Sequence, residues 1–259
     1  MNTATALSKA KQSLRRAAGR VQDVVLPPVC LACETGVDAR GTVCSQCWSG
    51  LRFIEPPFCA VLGTPFARDL GTGAKSAAAL ARPPSFDRAR ATVFYDDVAR
   101  QLVQALKFSD RTDLAPWMAQ WMVESLHRTG EGLLDANPIV VPVPLHRRRL
   151  ISRRFNQSAE LARALARAAH LSYAPDFLHR IRPTRQQVGL DASARHSNVR
   201  GAFRVPTEHK PQLAQKRVLL IDDVHTTGAT LEACSRALRR AGAAQIDCIT
   251  FARVAPDKV

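Results

Sequence analysis

The stretch Val218-Leu-Leu-Ile-Asp222-Asp223-Val-His-Thr226-Thr227-Gly228-Ala-Thr230-Leu decides the fold of this 259-residue chain. Its first four residues are apolar, which is typical of a buried strand in a parallel sheet. Two carboxylates follow, and a Thr/Thr/Gly loop then leads into a predicted helix. Backbone N–H groups at a helix start, together with threonine hydroxyls, form a pocket for a phosphate dianion. Gly228 lets the backbone approach that phosphate closely.

The two carboxylates, Asp222 and Asp223, cannot hold the phosphate themselves because like charges repel. They can accept hydrogen bonds from vicinal hydroxyls on a sugar one step away, or help to organise Mg²⁺. A phosphate and a diol separated by the length of a ribose indicate a ribose 5-phosphate.

A strand that ends in acids also occurs in P-loop nucleotide hydrolases, which is the main alternative interpretation. Those proteins need the motif G-x-x-x-x-G-K-[ST]. The nearest segment, Gly71-Thr-Gly-Ala-Lys75-Ser76, has no glycine directly before the lysine and no apolar strand leading into it. The sequence therefore excludes a P-loop.

Strand and helix patterns alternate on both sides of the deciding stretch, as in an α/β fold with a parallel sheet. The hydrophobic periodicity predicts strands at residues 91–95, 139–143, 217–221 and 244–253, and helices at 98–108, 114–127, 158–170 and 230–241.

Four cysteines near the N-terminus have the spacing of a metal site. Cys30-Leu-Ala-Cys33 and Cys44-Ser-Gln-Cys47 are two C-x-x-C pairs separated by ten residues. Two such turns facing each other complete a tetrahedral four-thiolate site, which zinc usually occupies and which leaves no position for a catalytic water. A structural zinc knuckle is therefore expected, with four reduced thiols or one redox pair as the alternatives.

The remaining cysteines do not extend this pattern. A second knuckle is not expected at Cys59, because a C-x-x-C pair there would need a cysteine at position 62. The odd total of seven cysteines argues against a secreted disulfide framework and for a reducing, cytoplasmic location.

Composition divides the chain into four zones and suggests its partners. We expect a basic tail or helix at 1–25, the zinc knuckle at 26–60, a Gly/Pro-rich connector at 61–90 and the α/β domain at 91–254. The 37 basic residues outnumber the 22 acidic ones, giving a net charge of +15 that favours phosphorylated small molecules or nucleic acid. No apolar run reaches the roughly 20 residues of a membrane span, so membrane insertion is not expected.

The segment at 222–230 resembles the signature of type I phosphoribosyltransferases, and a longer series of motifs resembles one branch of them, the competence-associated ComF family. Besides the cysteine knuckle and the 222–230 loop, the series comprises Phe86-Asp87, Ala105-Leu-Lys107-Phe108, Val141-Pro-Val-Pro-Leu145, Arg153-Arg-Phe-Asn-Gln157, Arg180-x-Arg-x-Thr184 with Gln187, Arg195-x-x-Asn198-Val199 and Ala202-Phe203. This resemblance implies a type I phosphoribosyltransferase fold, with a central parallel sheet flanked by helices and a small N-terminal zinc knuckle.

The resemblance also implies a substrate, 5-phosphoribosyl 1-pyrophosphate (PRPP) with Mg²⁺, and a role for each motif. The implied catalytic residues are Asp222 and Asp223, which would contact the ribose hydroxyls. The implied 5-phosphate residues are Thr226, Thr227, Gly228, Ala229 and Thr230. The implied pyrophosphate residues are Pro144, Leu145, His146, Arg147 and Arg153, and further candidates are Lys107, Asn156 and Arg195.

Two functions remain open at this point. The chain could transfer a phosphoribosyl group to an acceptor that the sequence does not identify. Alternatively, it could bind PRPP or a nucleotide without turnover, as a module of DNA uptake that meets a competence helicase or single-stranded DNA. Family members usually have glycine where this chain has Arg154, a difference that bears on the loop's conformation and on catalysis.

Overall fold

The computed structural model describes residues 27–108, 111–183 and 197–255. The chain divides into two compact units, Met1–Ser49 and Gly50–Val259. The expected tail at 1–25 lies outside the described residues, as does Arg195. None of the helices in the described ranges is long and apolar enough to cross a membrane.

The second unit alternates helices and strands as the sequence predicts, and the described part of the first, residues 27–49, contains one short helix. The helices are α1 (Ser45–Ser49), α2 (Ala77–Ala81), α3 (Asp97–Phe108), α4 (Leu114–Arg128), α5 (Arg147–Arg153), α6 (Gln157–Ala168), α7 (Lys210–Leu213) and α8 (Ala229–Arg240). The strands are β1 (Arg88–Phe94), β2 (Ile139–Pro142), β3 (His179–Arg180), β4 (Phe203–Arg204), β5 (Arg217–His225) and β6 (Gln245–Arg253).

A four-stranded parallel sheet in the order β1-β6-β5-β2 forms the centre of the second unit. The short strands β3 and β4 pair antiparallel as a separate ribbon. Side chains alternate along β5, so Val218 and Leu220 pack into one apolar core with α8. Helices α4 and α6 pack against each other and against the sheet. The predicted α/β fold with a central parallel sheet is confirmed.

The central strand β5 is longer than its apolar run. The sequence predicts a strand that ends at Ile221, whereas β5 continues through both aspartates to His225. The reason is pairing with β6, which places Asp222 beside Thr250 and His225 beside Arg253. The acid pair is therefore held by ladder hydrogen bonds and does not lie in a loop.

Candidate functional site

The candidate site lies at the carboxyl ends of β2 and β5, where ligands usually bind in open parallel sheets. The two strands are neighbours, and Val143 extends their ladder by donating its N–H to the carbonyl of Ile221 at 2.8 Å. The loop that begins at Pro144 therefore starts beside the acid pair. The structure brings together the two segments that the sequence assigns to pyrophosphate and ribose.

Both carboxylates are buried and each has a specific partner. Ser158, in the first turn of α6, donates its hydroxyl to Asp222 Oδ1 at 2.8 Å, and the backbone N–H of Asp223 donates to the same oxygen at 2.9 Å. Lys107, in the last turn of α3, forms an ion pair of 2.9 Å with Asp223 Oδ2. Two helices that are distant in sequence therefore converge on this pair in β5.

The environment of Asp222 makes its charge costly. Burial raises the pKa of Asp222 to about 7, and the like charge of Asp223 acts in the same direction. The hydroxyl of Ser158 and the ammonium of Lys107 oppose this rise. Asp222 therefore changes its protonation state near neutral pH.

The loop from Thr226 to Thr230 leads into α8 and has the features of an anion site. The N-cap residue of α8 is Gly228, so no N-cap side chain accepts from the first N–H groups of the helix. The hydroxyl of Thr227 is buried and has no hydrogen-bond partner in the part of the chain that the structure describes. A phosphate oxygen would satisfy both kinds of donor.

Gly228 and His225 fit closely against each other in this loop. Gly228 has φ 76°, and a Cβ on it would lie 2.9 Å from Nε2 of His225. Burial lowers the pKa of His225 to about 3, and the charge of Arg253 contributes to this shift. The imidazole is thus neutral at physiological pH and packs against the loop, which does not suit it to proton transfer.

The residues predicted to bind pyrophosphate lie in the connection between β2 and α6. Pro144, Leu145 and His146 are half-buried in the connection, while Arg147 and Arg153 are the first and last residues of α5. After this connection, Asn156 caps α6 by accepting from the N–H of Ser158 at 3.1 Å. Its amide also donates to the carbonyl of Val143 at 3.0 Å. Asn156 thus ties the end of β2 to the helix that carries Ser158.

Arginines concentrate positive charge around this connection. Burial, and then repulsion by Arg153, lowers the pKa of Arg149, while burial and then repulsion by Arg149 lowers the pKa of Arg180. The charge of Asp222 acts on Arg180 in the opposite direction. Cations that repel one another beside a carboxylate favour an anionic ligand between them.

Two residues of the site, Ser158 and Arg180, are not among the predicted site residues. Ser158 is a buried hydroxyl at a helix start, and its only sequence signal is a polar residue on the apolar face of α6. Arg180 lies in β3 and belongs to a motif of the family series, yet only the fold shows its closeness to Asp222.

Arg154 occupies a strained backbone position in the connection. Its φ is +63°, in the left-handed region where side chains other than glycine are disfavoured. The structure thus shows why glycine is usual at this point of the motif.

The first unit contains the four-cysteine cluster. The sulfurs of Cys30, Cys33, Cys44 and Cys47 all lie within 4.8 Å of one another, and those of Cys33 and Cys44 are 3.7 Å apart. A tetrahedral ion with Zn–S bonds of about 2.3 Å places its sulfurs about 3.8 Å apart. The cluster therefore fits one structural zinc ion.

Two known protein families match the chain, one in its N-terminal part and one in its C-terminal part. Residues 21–79 match a double zinc ribbon domain, and residues 156–258 match a phosphoribosyl transferase domain. Together with the parallel sheet, these matches define a phosphoribosyltransferase-type domain that follows an N-terminal zinc ribbon.

Individual relatives extend the match to most of the chain. The chain is 28% identical over 231 residues to competence protein F of Haemophilus influenzae, covering 86% of this chain and 96% of that protein. It is 30% identical over 222 residues to DNA utilization protein YhgH of Salmonella typhimurium, covering 84% of this chain and 87% of that protein. The chain belongs to the family of these proteins, the ComF family.

Part of the chain is also similar to two solved structures. One is a glutamine PRPP amidotransferase from B. subtilis complexed with ADP and GMP, at 19% identity and a TM-score of 0.34. The other is titled an allosteric regulatory enzyme of purine biosynthesis, at 20% identity and a TM-score of 0.36. Each match covers 57% of this chain but only 30% of the other chain.

A double zinc ribbon implies a second metal site, and the structure contains a second ribbon without one. In each ribbon the first cysteine donates its N–H to the carbonyl of a threonine five residues later, at 2.7 Å for Cys30 and 2.8 Å for Cys59. The sulfur of that cysteine accepts an N–H at 3.2 Å from Cys44 in the first ribbon and from Ser76 in the second. The positions that match Cys30, Cys33, Cys44 and Cys47 are thus Cys59, Leu62, Ser76 and Ala79.

Zinc does not bind to a set of one thiol, one hydroxyl and two apolar side chains. Contacts with the neighbouring strands β1 and β6 hold the second ribbon instead. The carbonyl of Val61 accepts the N–H of Ala89 in β1 at 2.7 Å. A Cβ on Gly63 would overlap the carbonyl oxygen of Ala89. Arg253 of β6 donates to the carbonyl of Leu62. The absence of a cysteine at position 62 excludes a metal here, but the cysteine spacing gives no sign that the backbone of the ribbon is retained.

Replacing Arg154 by glycine should stabilise the protein. A left-handed residue other than glycine costs about 1–2 kcal/mol, and glycine costs about 0.5–1 kcal/mol in unfolded-state entropy. Urea unfolding of Arg154→Gly should therefore show a gain of about 0.5–1 kcal/mol. Arg154→Ala is the matched control, because it removes the side chain and keeps the strain. An equal gain in both variants would assign the effect to the side chain.

The purified chain should bind one zinc ion, although the matched family is a double ribbon. Elemental analysis should find one equivalent in the wild type and in Cys59→Ser, and none in Cys30→Ser, because only the first ribbon has four thiolates. Two equivalents in the wild type, or zinc loss from Cys59→Ser, would contradict this assignment.

Proposed function

We propose that the second unit binds PRPP with Mg²⁺ and transfers its phosphoribosyl group to an acceptor. The observation that carries the proposal is the order of groups along β5 and α8. Two buried carboxylates are followed, a few residues later, by the buried hydroxyl of Thr227 and by a helix start whose N-cap residue is a glycine. This order matches a sugar diol next to a phosphate dianion.

Each group has a role in this proposal. The loop from Thr226 to Thr230 would hold the 5-phosphate, and Asp222 with Asp223 would accept hydrogen bonds from the ribose hydroxyls. The connection from Pro144 to Arg153 would face the pyrophosphate, supported by the positive charge of Arg149 and Arg180. Asp222 would help to hold Mg²⁺, which would neutralise pyrophosphate charge, because Asp223 is already paired with Lys107.

The proposed chemistry is a displacement at C1 of the ribose. The bond from C1 to the pyrophosphate oxygen breaks, its electron pair leaves with pyrophosphate, and the acceptor forms a new bond to C1. The transition state has cationic sugar character, which the ionised acid pair would stabilise. The guanidinium groups around the connection would stabilise the leaving pyrophosphate.

A second candidate function is binding of PRPP or a nucleotide without turnover, within DNA uptake. Two observations favour it: the strained Arg154 replaces the usual glycine, and Lys107 already neutralises Asp223. The relatives' names refer to competence and DNA utilization, and the net charge of +15 suits a nucleic acid partner. In this role the chain would meet single-stranded DNA or a competence helicase in the cytoplasm.

Calorimetric titration with PRPP and Mg²⁺ tests the shared binding step. We expect a micromolar Kd that weakens by at least about 100-fold in Asp222→Asn/Asp223→Asn, because hydrogen bonds to charged groups contribute about 1.5–3 kcal/mol each. Asp97→Asn, an exposed acid of α3, is the control and should bind like the wild type. Equal affinity in the wild type and the double variant would refute the assigned site. Pyrophosphate release on addition of an acceptor would then separate the enzyme from the binding module.

The affinity for PRPP should increase as pH rises through about 7. Asp222 is protonated below that pH and accepts two hydroxyl donors well only when it is ionised. PRPP phosphates titrate near about pH 6, so the comparison is with Asp222→Asn, whose affinity should lack the step near 7. A step of the same size in that variant would contradict the role of Asp222.

The same pKa shift fixes the sign of a stability effect. Because the folded pKa is raised from 3.8, the ionised carboxylate destabilises the fold, and this cost develops between about pH 4 and 7. Asp222→Asn should therefore stabilise the unliganded protein more at pH 8 than at pH 4, as measured by urea unfolding.

A further inference from the structure

A cationic cavity lies along the C-terminal half of α8, the half that is farther from the proposed phosphate loop. Its volume is about 710 Å³. Helix α8 begins at the proposed phosphate loop with Ala229, whereas the cavity contacts this helix only from Ala233 onward. Five basic side chains line it, and they come from four different segments: Arg200, Arg204, Lys210, Arg236 and Arg240.

The charge of this cavity is largely uncompensated. No acidic side chain lines it within the described residues. Glu232, one turn before Arg236, pairs with that arginine at 3.1 Å and also accepts from Ser85. In the described ranges, the other four cations form no salt bridge. Such a cluster of cations attracts an anionic ligand.

We infer that this cavity binds the phosphate backbone of single-stranded nucleic acid, an inference that rests on the second proposed function, binding within DNA uptake. Four of the five cations are exposed ends of long side chains, which suit several moderate contacts to a polymer better than a single enclosed ion. A flexible single strand can bend into a cavity of this size. A duplex cannot, because it is rigid over about 150 base pairs.

The lining also indicates recognition without sequence preference. Apolar contacts come from Val205, Ala233 and Ala237, which have no base-reading polar groups. Among the described lining residues the one aromatic ring, Phe203, is buried, and the guanidinium of Arg180 lies 5.2 Å from its centre. This part of the lining thus offers no exposed aromatic surface for base stacking, and affinity should follow the number of phosphates.

Fluorescence anisotropy with a labelled oligothymidine of about 20 nucleotides tests this inference on the full chain. Each lost phosphate contact reduces the slope of log affinity against log salt by about 0.7 for a single strand. Arg204→Ala/Arg240→Ala should therefore reduce the slope by about 1.4 and weaken binding about 25-fold at 0.1 M salt. Arg68→Ala/Arg82→Ala, an exposed pair outside the cavity, removes the same charge and should change affinity less than about twofold.

Three results would overturn the inference. One is equal weakening by both arginine pairs, which would reduce binding to net charge. Another is tighter binding of a duplex of the same length, with the same dependence on Arg204 and Arg240. The third is competition by tripolyphosphate as effective as that by the oligonucleotide at equal phosphate concentration, which would assign the cavity to a free polyphosphate. Asp222→Asn/Asp223→Asn should leave oligonucleotide binding unchanged, so failure of the PRPP site is distinguishable from failure of this one.

Discussion

Two adjacent carboxylates at the buried end of a central strand impose the main constraint on this molecule. Asp222 and Asp223 repel each other, and burial increases the cost of their charge. The fold compensates with Ser158 from α6 and Lys107 from α3. The ends of both helices are therefore fixed relative to β5, and the connection between β2 and α6 must pass beside the pair. The arginines of that connection then lie where an anionic ligand has to enter.

Local sequence determines some of these features and not others. The apolar run at 218–221 predicts the central strand, and the periodicity at 158–170 predicts α6, because strand burial and helical periodicity depend on neighbouring residues. The ion pair of Lys107 with Asp223 joins residues more than a hundred positions apart. No periodicity reveals such a contact, although the family motif did make Lys107 a candidate. The left-handed conformation of Arg154 was likewise visible only as a departure from the usual glycine.

The second ribbon shows a different limit of sequence patterns. Cysteine spacing identifies a ribbon through its metal, so the loss of three ligands removes the signal while the backbone remains. What holds the ribbon instead is a set of contacts with β1 and β6, made by Val61, Gly63 and Leu62. Apolar and small residues carry no recognisable spacing, and their partners lie in strands that are distant in sequence.

A ribbon that no longer needs a metal changes how the chain depends on the cell's zinc supply. Each copy draws one ion from that supply where a complete double ribbon would draw two, and the part that abuts the sheet is independent of the ion. Starvation for zinc, or oxidation of the thiolates, would then act on residues 27–49 alone. Proteases would find their first entry there, while the sheet and its acid pair kept their shape.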